Sequence, residues 1–340
     1  MKRNLYHVKA VLLALCVTLA LAGAAFAQGG NNQQTPKPSK DEEKAAVKIK
    51  QATTLEAKFL ATEEYLKKFS KGVMRQQVAE EMAMEISKLQ DPNQIVSFGE
   101  KFFSLFTEPK EIDLVIPDLV TNYLKTKKFD EAFQTGDNFL SRHPEDVHFF
   151  TQLALDGANL FRQGNNKFVK QSADYANKAI ALIEADKKPA SMDDATWASY
   201  KTTNLSALYQ SLGVISMMSN NPADAKTKFE KAVAASATDP VNYYFLGYIA
   251  DGEYQVTVKA YQASQPGKQR DDLLTKANTQ IDTVIDYYAR AVAMAESNPQ
   301  YHAMGAQVRA DLETYYKYRH KSLNGLEELI NKYKPLTLKP

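Results

Sequence analysis

Adjacent carboxylates, such as Asp193-Asp194 and Asp271-Asp272, are residues of the type that general acid–base chemistry needs. Both pairs stand where a helical pattern begins, and the positive end of a helix dipole accounts for acids there without catalysis. Beyond the first residues the histidines are His143, His148, His302 and His320. No two are four residues apart, so no helix face presents two imidazoles, and His-Glu-x-x-His is absent. His143 falls at a turn, and His320 is flanked by Arg319 and Lys321, as a solvated residue would be. There is no Gly-x-Ser-x-Gly and no serine with lysine three residues on, so neither common serine-nucleophile pattern occurs. Gly267-Lys268 lacks the upstream glycine of a phosphate loop and reads as a turn. These patterns give no catalytic residue, no metal ligand and no cofactor. Catalytic sites are also assembled from residues distant in sequence.

Tyrosine is the other notable residue type. Fifteen of the 18 tyrosines stand at position 175 or later. A tyrosine ring fills space between helices, or it lines a binding surface with its hydroxyl outward. The phase of each on its helix decides which.

From Asp41 onward apolar residues recur with helical period, and alternation of the strand type is scarce. Tyr209-x-x-Leu212-Gly213 is followed by Ala225-x-x-x-Phe229-x-x-Ala232 and then Asp239-Pro240. Tyr243-x-x-Leu246-Gly247 then begins the pattern again, 34 residues after its first occurrence. Small residues such as Gly213, Ala225 and Ala232 let antiparallel helices approach, and Tyr209, Leu212 and Phe229 fill the space beside them. This order resembles the tetratricopeptide repeat family. The resemblance implies an all-α, helix-turn-helix solenoid, a right-handed superhelix of antiparallel helix pairs.

The expected organisation is a leader at 1–27, a polar linker at 28–42, and degenerate helical repeats or a cap at 43–110. Repeat-like units follow over 111–299, at about 113–146, 147–189, 204–239 and 240–299. Capping helices occupy 300–334, and 335–340 is a mobile tail. Residues 43–70 read as one long helix. In the 113–146 unit Gly136 stands where the family has an aromatic, and His143-Pro144 replaces Asp/Asn-Pro. About six extra residues around Gly164-Asn165-Asn166 lengthen the loop of the 147–189 unit. Both helices of the 240–299 unit are lengthened, to about Val241–Ala263 and Asp271–Glu296.

Met1-Lys2-Arg3, the apolar run Val11–Leu21 and Ala25-Phe26-Ala27 read as a signal peptide cleaved after Ala27. Leu15 stands where a lipoprotein signal wants a small residue, so Cys16 reads as part of the leader. Removing the leader takes away Lys2, Arg3 and Lys9 and leaves 39 basic against 40 acidic residues, and no cysteine. Such a chain has no disulfide, no thiolate site and no basic footprint for nucleic acid. No later run is long enough to span a membrane. The expected location is periplasmic or secreted.

In the family frame helix A lines the concave surface. That frame makes Gln210, Val214, Met217, Tyr244 and Tyr248 the candidate groove residues. Family members that clamp a C-terminal carboxylate use Lys and Asn on that face. Here those positions hold Pro117, Thr121, Thr151, Leu155, Gln210, Val214, Tyr244 and Tyr248, so that clamp is absent. The expected function is a non-enzymatic exported scaffold that binds a protein or peptide in a concave helical groove. An accessory role in outer-membrane assembly or cell-wall metabolism is the narrower alternative. It draws on the stretch Tyr65-Leu66-Lys67-Lys68-Phe69, which resembles helix ends of exported envelope adaptors. A glycan-acting enzyme with tyrosine walls and paired carboxylates is the third.

Overall fold

The computed structural model describes residues 37–335. The leader, its cleavage site, the linker up to residue 36 and the tail from 336 lie outside the described residues. Among the described residues every regular element is helical. They fall into two compact units, divided after Arg142.

The first unit contains α1 (Lys40–Gln51), α2 (Leu55–Lys68), α3 (Arg75–Ser87), α4 (Pro92–Leu105), α5 (Pro109–Ile112), α6 (Ile116–Lys125) and α7 (Phe129–Arg142). The single helix expected over 43–70 is two. Thr54 Oγ1 accepts from the Ala57 amide at 3.1 Å and starts α2, while Ala52 leaves the helical conformation. The core gathers Ile49, Phe59, Tyr65, Met82, Phe102 and Phe106. Tyr65 donates its hydroxyl to the buried Glu42 carboxylate at 2.7 Å, and Phe69 packs on its ring at 5.5 Å. Core packing thus accounts for both aromatic residues of the 65–69 stretch.

The second unit contains α8 (Val147–Arg162), α9 (Val169–Glu184), α10 (Asp194–Met218), α11 (Pro222–Ala235), α12 (Pro240–Ala263), α13 (Lys268–Glu296), α14 (His302–His320) and α15 (Leu326–Tyr333). Consecutive helices pack on one another from α8 to α14, and α15 folds back on α13. Aspartates set several starts. Asp146, Asp193 and Asp239 cap α8, α10 and α12 by accepting backbone amides. Asp193 is therefore a helix cap, as its position predicts. Its carboxyl lies below the usual range because the Thr196 amide donates to it.

Two contacts define the helix pairs. A Cβ on Gly213 would lie 2.8 Å from the Phe229 ring, so α10 and α11 meet at van der Waals distance there. A Cβ on Gly247 would lie 2.4 Å from the Tyr288 ring, which gives α12 and α13 the same contact. Gly213 is five residues from the end of α10 at Met218, and Gly247 is sixteen from the end of α12 at Ala263. Phe229 is seven residues from the start of α11, and Tyr288 is twenty from the start of α13. Each helix has gained about three turns beyond the contact. Nearly equal additions leave the two glycine–aromatic contacts equivalent. No described helix is long and apolar enough to cross a membrane.

Candidate functional site

The expected groove residues separate into two sets. On α10, Ser206, Gln210, Val214 and Met217 share one face at helical spacing, and that face meets α12. Gln210 Nε2 donates to Asp239 Oδ2 at 2.8 Å and to Asn242 Oδ1 at 3.0 Å. Asn242 is fully buried, and its amide reaches back to Ser206 Oγ at 3.4 Å. Val214 is buried among Ala225, Phe229, Leu246 and Ile249, with Met217 half-buried against them. This face is a seam between consecutive first helices, closed by an amide network. Val214 is therefore a core residue and not a groove residue. Its side of α10 faces α12, whose Leu246 and Ile249 cover it.

Tyr244 and Tyr248 face elsewhere. Tyr248 is 52% exposed, whereas Tyr244 is half-buried. The Tyr244 ring stacks on Tyr288 of α13 with centroids 6.4 Å apart. Tyr288 lies 6.1 Å from Tyr315 of α14, and Tyr315 stands edge-on to Tyr254 at 6.3 Å. Tyr315 donates its hydroxyl to Asp251 Oδ1 at 2.5 Å, and Gln255 Nε2 donates to the same oxygen at 3.1 Å. Asp311 is exposed on α14, four residues before Tyr315 and so on the same helix face. Burial first, and the charges of Asp251 and Asp311 after it, hold the Tyr288 phenol well above its ordinary pKa. Burial likewise raises Tyr315, with the hydrogen bond to Asp251 next. The result is a run of tyrosine rings along α12 and α14, floored by Tyr288 and edged by two carboxylates.

The sequence leaves Asp311 and Tyr315 outside the candidate groove because α14 reads as a cap, and it gives no sign that Asp251 of α12 and Tyr288 of α13 stand beside them. A signal for α14 is present. Tyr301-x-x-Met304-Gly305 repeats the order of Tyr243-x-x-Leu246-Gly247 and follows Asn298-Pro299. Gly305 approaches Ala295 of the preceding helix, 2.7 Å from where its Cβ would be.

A concavity of about 550 Å³ is lined by residues of α11, α12 and α13, among them Glu230, Asp282, Thr283, Asp286, Tyr287 and Arg290. Its carboxylates are largely occupied. Arg319 binds Asp282 through two nitrogens at 2.8 and 3.1 Å, and Arg290 holds Asp286 at 2.8 Å. Tyr333 donates to Asp286 as well. Among the described residues no group of His, Cys, Asp and Glu is arranged to hold a metal ion.

No family model matches the chain, and no curated protein does. Solved structures to which it is similar include the C-terminal part of a TPR repeat-containing protein from Cytophaga hutchinsonii. That likeness has 13% identity and a TM-score of 0.40, and covers 86% of this chain and 100% of that one. MamA is similar at 18% identity over 67% of this chain and 98% of its own, with a TM-score of 0.35. A thermophilic TPR protein of Thermus thermophilus is 13% identical over 69% and 99%, with a TM-score of 0.33. Likeness at this level transfers no residue and no partner. The contacts of Gly213 with Phe229 and of Gly247 with Tyr288 are the chain's own, and they make its described fold an all-α succession of packed helix pairs, similar to these repeat proteins.

Proposed function

We propose that this protein is a non-catalytic scaffold that captures a segment of another protein on the tyrosine surface of α12 and α14. The observation that carries this reading is the run of accessible rings at Tyr244, Tyr248 and Tyr315, on an array of paired helices. Tyrosine gives large contact area at small conformational cost, and its hydroxyl tolerates water when the site is empty. The leader-like residues 1–27 support export, so the partner would be an envelope or secreted protein. A place in outer-membrane assembly or cell-wall metabolism is the narrower form of this proposal.

The test is affinity capture from envelope extract with the wild type, Tyr248→Ala and Leu60→Ala. Leu60 is 60% exposed on the first unit and controls for general stickiness. A protein retained by wild type and Leu60→Ala but lost by Tyr248→Ala supports the groove. Equal retention by all three refutes it. Determination of the N-terminus of the envelope form tests export, with Gln28 expected as its first residue.

One observation favours a second reading. Asp251 accepts from Tyr315, Asp311 stands one turn before that tyrosine on α14, and paired carboxylates beside aromatic rings are also the parts of a glycan-cleaving site. Release of reducing ends from cell-wall polymer, abolished in Asp251→Asn, would establish it. Inert polymer would leave the scaffold reading in place.

A further inference from the structure

We infer that the groove between α12 and α14 is specific for a cation, and that its occupant is a lysine or arginine side chain on an extended segment of a partner protein. This deepens the scaffold reading and rests on it. Several tyrosine rings of this chain already carry a resident cation. Lys231 Nζ stands 5.1 Å from the Tyr209 centroid, and the Arg270 guanidinium 4.5 Å from that of Tyr261. Arg290 covers Tyr243 at 5.9 Å and Tyr333 at 4.2 Å. Among the described residues Tyr244, Tyr248, Tyr288 and Tyr315 have none.

The carboxylates divide in the same way. Asp282, Asp286 and Glu296, all on α13, have arginine or lysine partners. Asp251 and Asp311 make no ion pair among the described residues. The hydrogen bonds that Asp251 accepts come from neutral donors, the Tyr315 hydroxyl and the Gln255 amide. The Tyr315 hydroxyl is thereby used to orient a carboxylate rather than to neutralise it. Rings without cations and carboxylates without cations occur together in one groove. Electron-rich ring faces attract a cation, and the two carboxylates add Coulombic attraction in a partly dehydrated setting. The same arrangement repels an anion and gives a neutral side chain only contact area.

The groove's length suits an extended segment. From Tyr244 to Gln255, α12 runs about 16 Å at 1.5 Å per residue. About five residues of extended chain cover that distance. One or two basic side chains of such a segment reach the carboxylates while its backbone lies along the rings.

The test uses the purified protein and fluorescein-labelled peptides of about twelve residues, built from Gly-Ser-Arg repeats. Matched peptides carry Gln or Glu in place of Arg. Fluorescence anisotropy is read at about 50 mM and about 300 mM salt. The arginine peptide is expected to bind about tenfold more tightly than the glutamine peptide at low salt, and the glutamate peptide not at all. Asp251→Asn with Asp311→Asn is expected to weaken the arginine peptide about fivefold and leave the glutamine peptide unchanged. Tyr248→Ala is expected to weaken both. Asp311→Asn alone, at an exposed position, keeps the test sound should the double variant lose helicity.

Equal binding of arginine and glutamine peptides, lost together in Tyr248→Ala, overturns the charge inference and leaves the groove standing. Arginine-selective binding that none of the variants alters overturns both, because the cation then sits elsewhere. Absence of all peptide binding, with retention of a cell-wall glycan fragment instead, also overturns both.

Discussion

At the residue scale, carboxylates in this chain are distinguished by what surrounds them and not by their spacing. Glu42 is buried and accepts from the Tyr65 hydroxyl and the Met74 amide, the latter at 2.8 Å. It is a structural acceptor. Asp156, on α8, has no ion pair among the described residues, and burial pushes its carboxyl up to about 6. Neutral Asp156 is thus favoured in the folded chain, relative to an unfolded value near 3.9. The stability this contributes is present in full below about pH 4 and is lost as pH rises through about 6. Asp156→Asn, which stays neutral, should be more stable than wild type at pH 7.5 by about 1–2 kcal/mol, a figure reduced for partial exposure. The difference should vanish near pH 4. Urea midpoints at the two pH values measure it, and an advantage that is the same at both would show that charge is not the cause. Nothing in the sequence marks Asp156, since its neighbours on α8 come from other helices. The same holds for Val214. Its place on helix A was legible, but the seam that buries it was not.

At the scale of elements, spacing was the strongest guide. The 34 residues between Gly213 and Gly247 locate two first helices, and the structure places each glycine against an aromatic ring of the helix that follows. Alanine at either position forces that ring aside. Phe229 is held by the parallel ring of Phe245 at 4.8 Å, and Tyr288 by Tyr244, so neither yields freely. Gly213→Ala and Gly247→Ala should each cost about 1–3 kcal/mol. Gly252 lies within α12 with nothing near its missing Cβ. Gly252→Ala should stabilise by up to about 1 kcal/mol through helix propensity. Thermal unfolding of the three variants reads this directly. A loss at Gly252 equal to that at Gly247 would mean that close packing is not what separates the three positions. Other elements were less legible. The break between α1 and α2 has no Gly or Pro and rests on the Thr54 cap. The short helix α5 depends on Glu111, which Arg75 holds from 36 residues away through bonds of 2.6 and 2.8 Å. Period and turn signals carry no record of such a pair.

For the whole molecule, the division after Arg142 separates two cores and places the groove in only one of them. In an array of repeats, stability is carried by each unit and by its nearest neighbours, so damage should stay local. The chain contains one tryptophan, Trp197, which reports on the second unit. Its indole donates to Asp186 at 2.7 Å and stacks on Tyr200, whose hydroxyl donates to Thr151 at 2.9 Å. Glu111, 1% exposed, is the matching point of attack in the first unit. Glu111→Ala leaves the Arg75 guanidinium enclosed without its partner, which should cost about 3–5 kcal/mol. Urea unfolding of this variant should show an early loss of helical circular dichroism, while the Trp197 fluorescence midpoint stays near that of wild type. Arginine-peptide binding should survive that early loss, because the groove belongs to the unit that is still folded. A Trp197 midpoint that falls in step with the circular dichroism would make the two cores one cooperative body. The first unit would then be needed to hold the groove together.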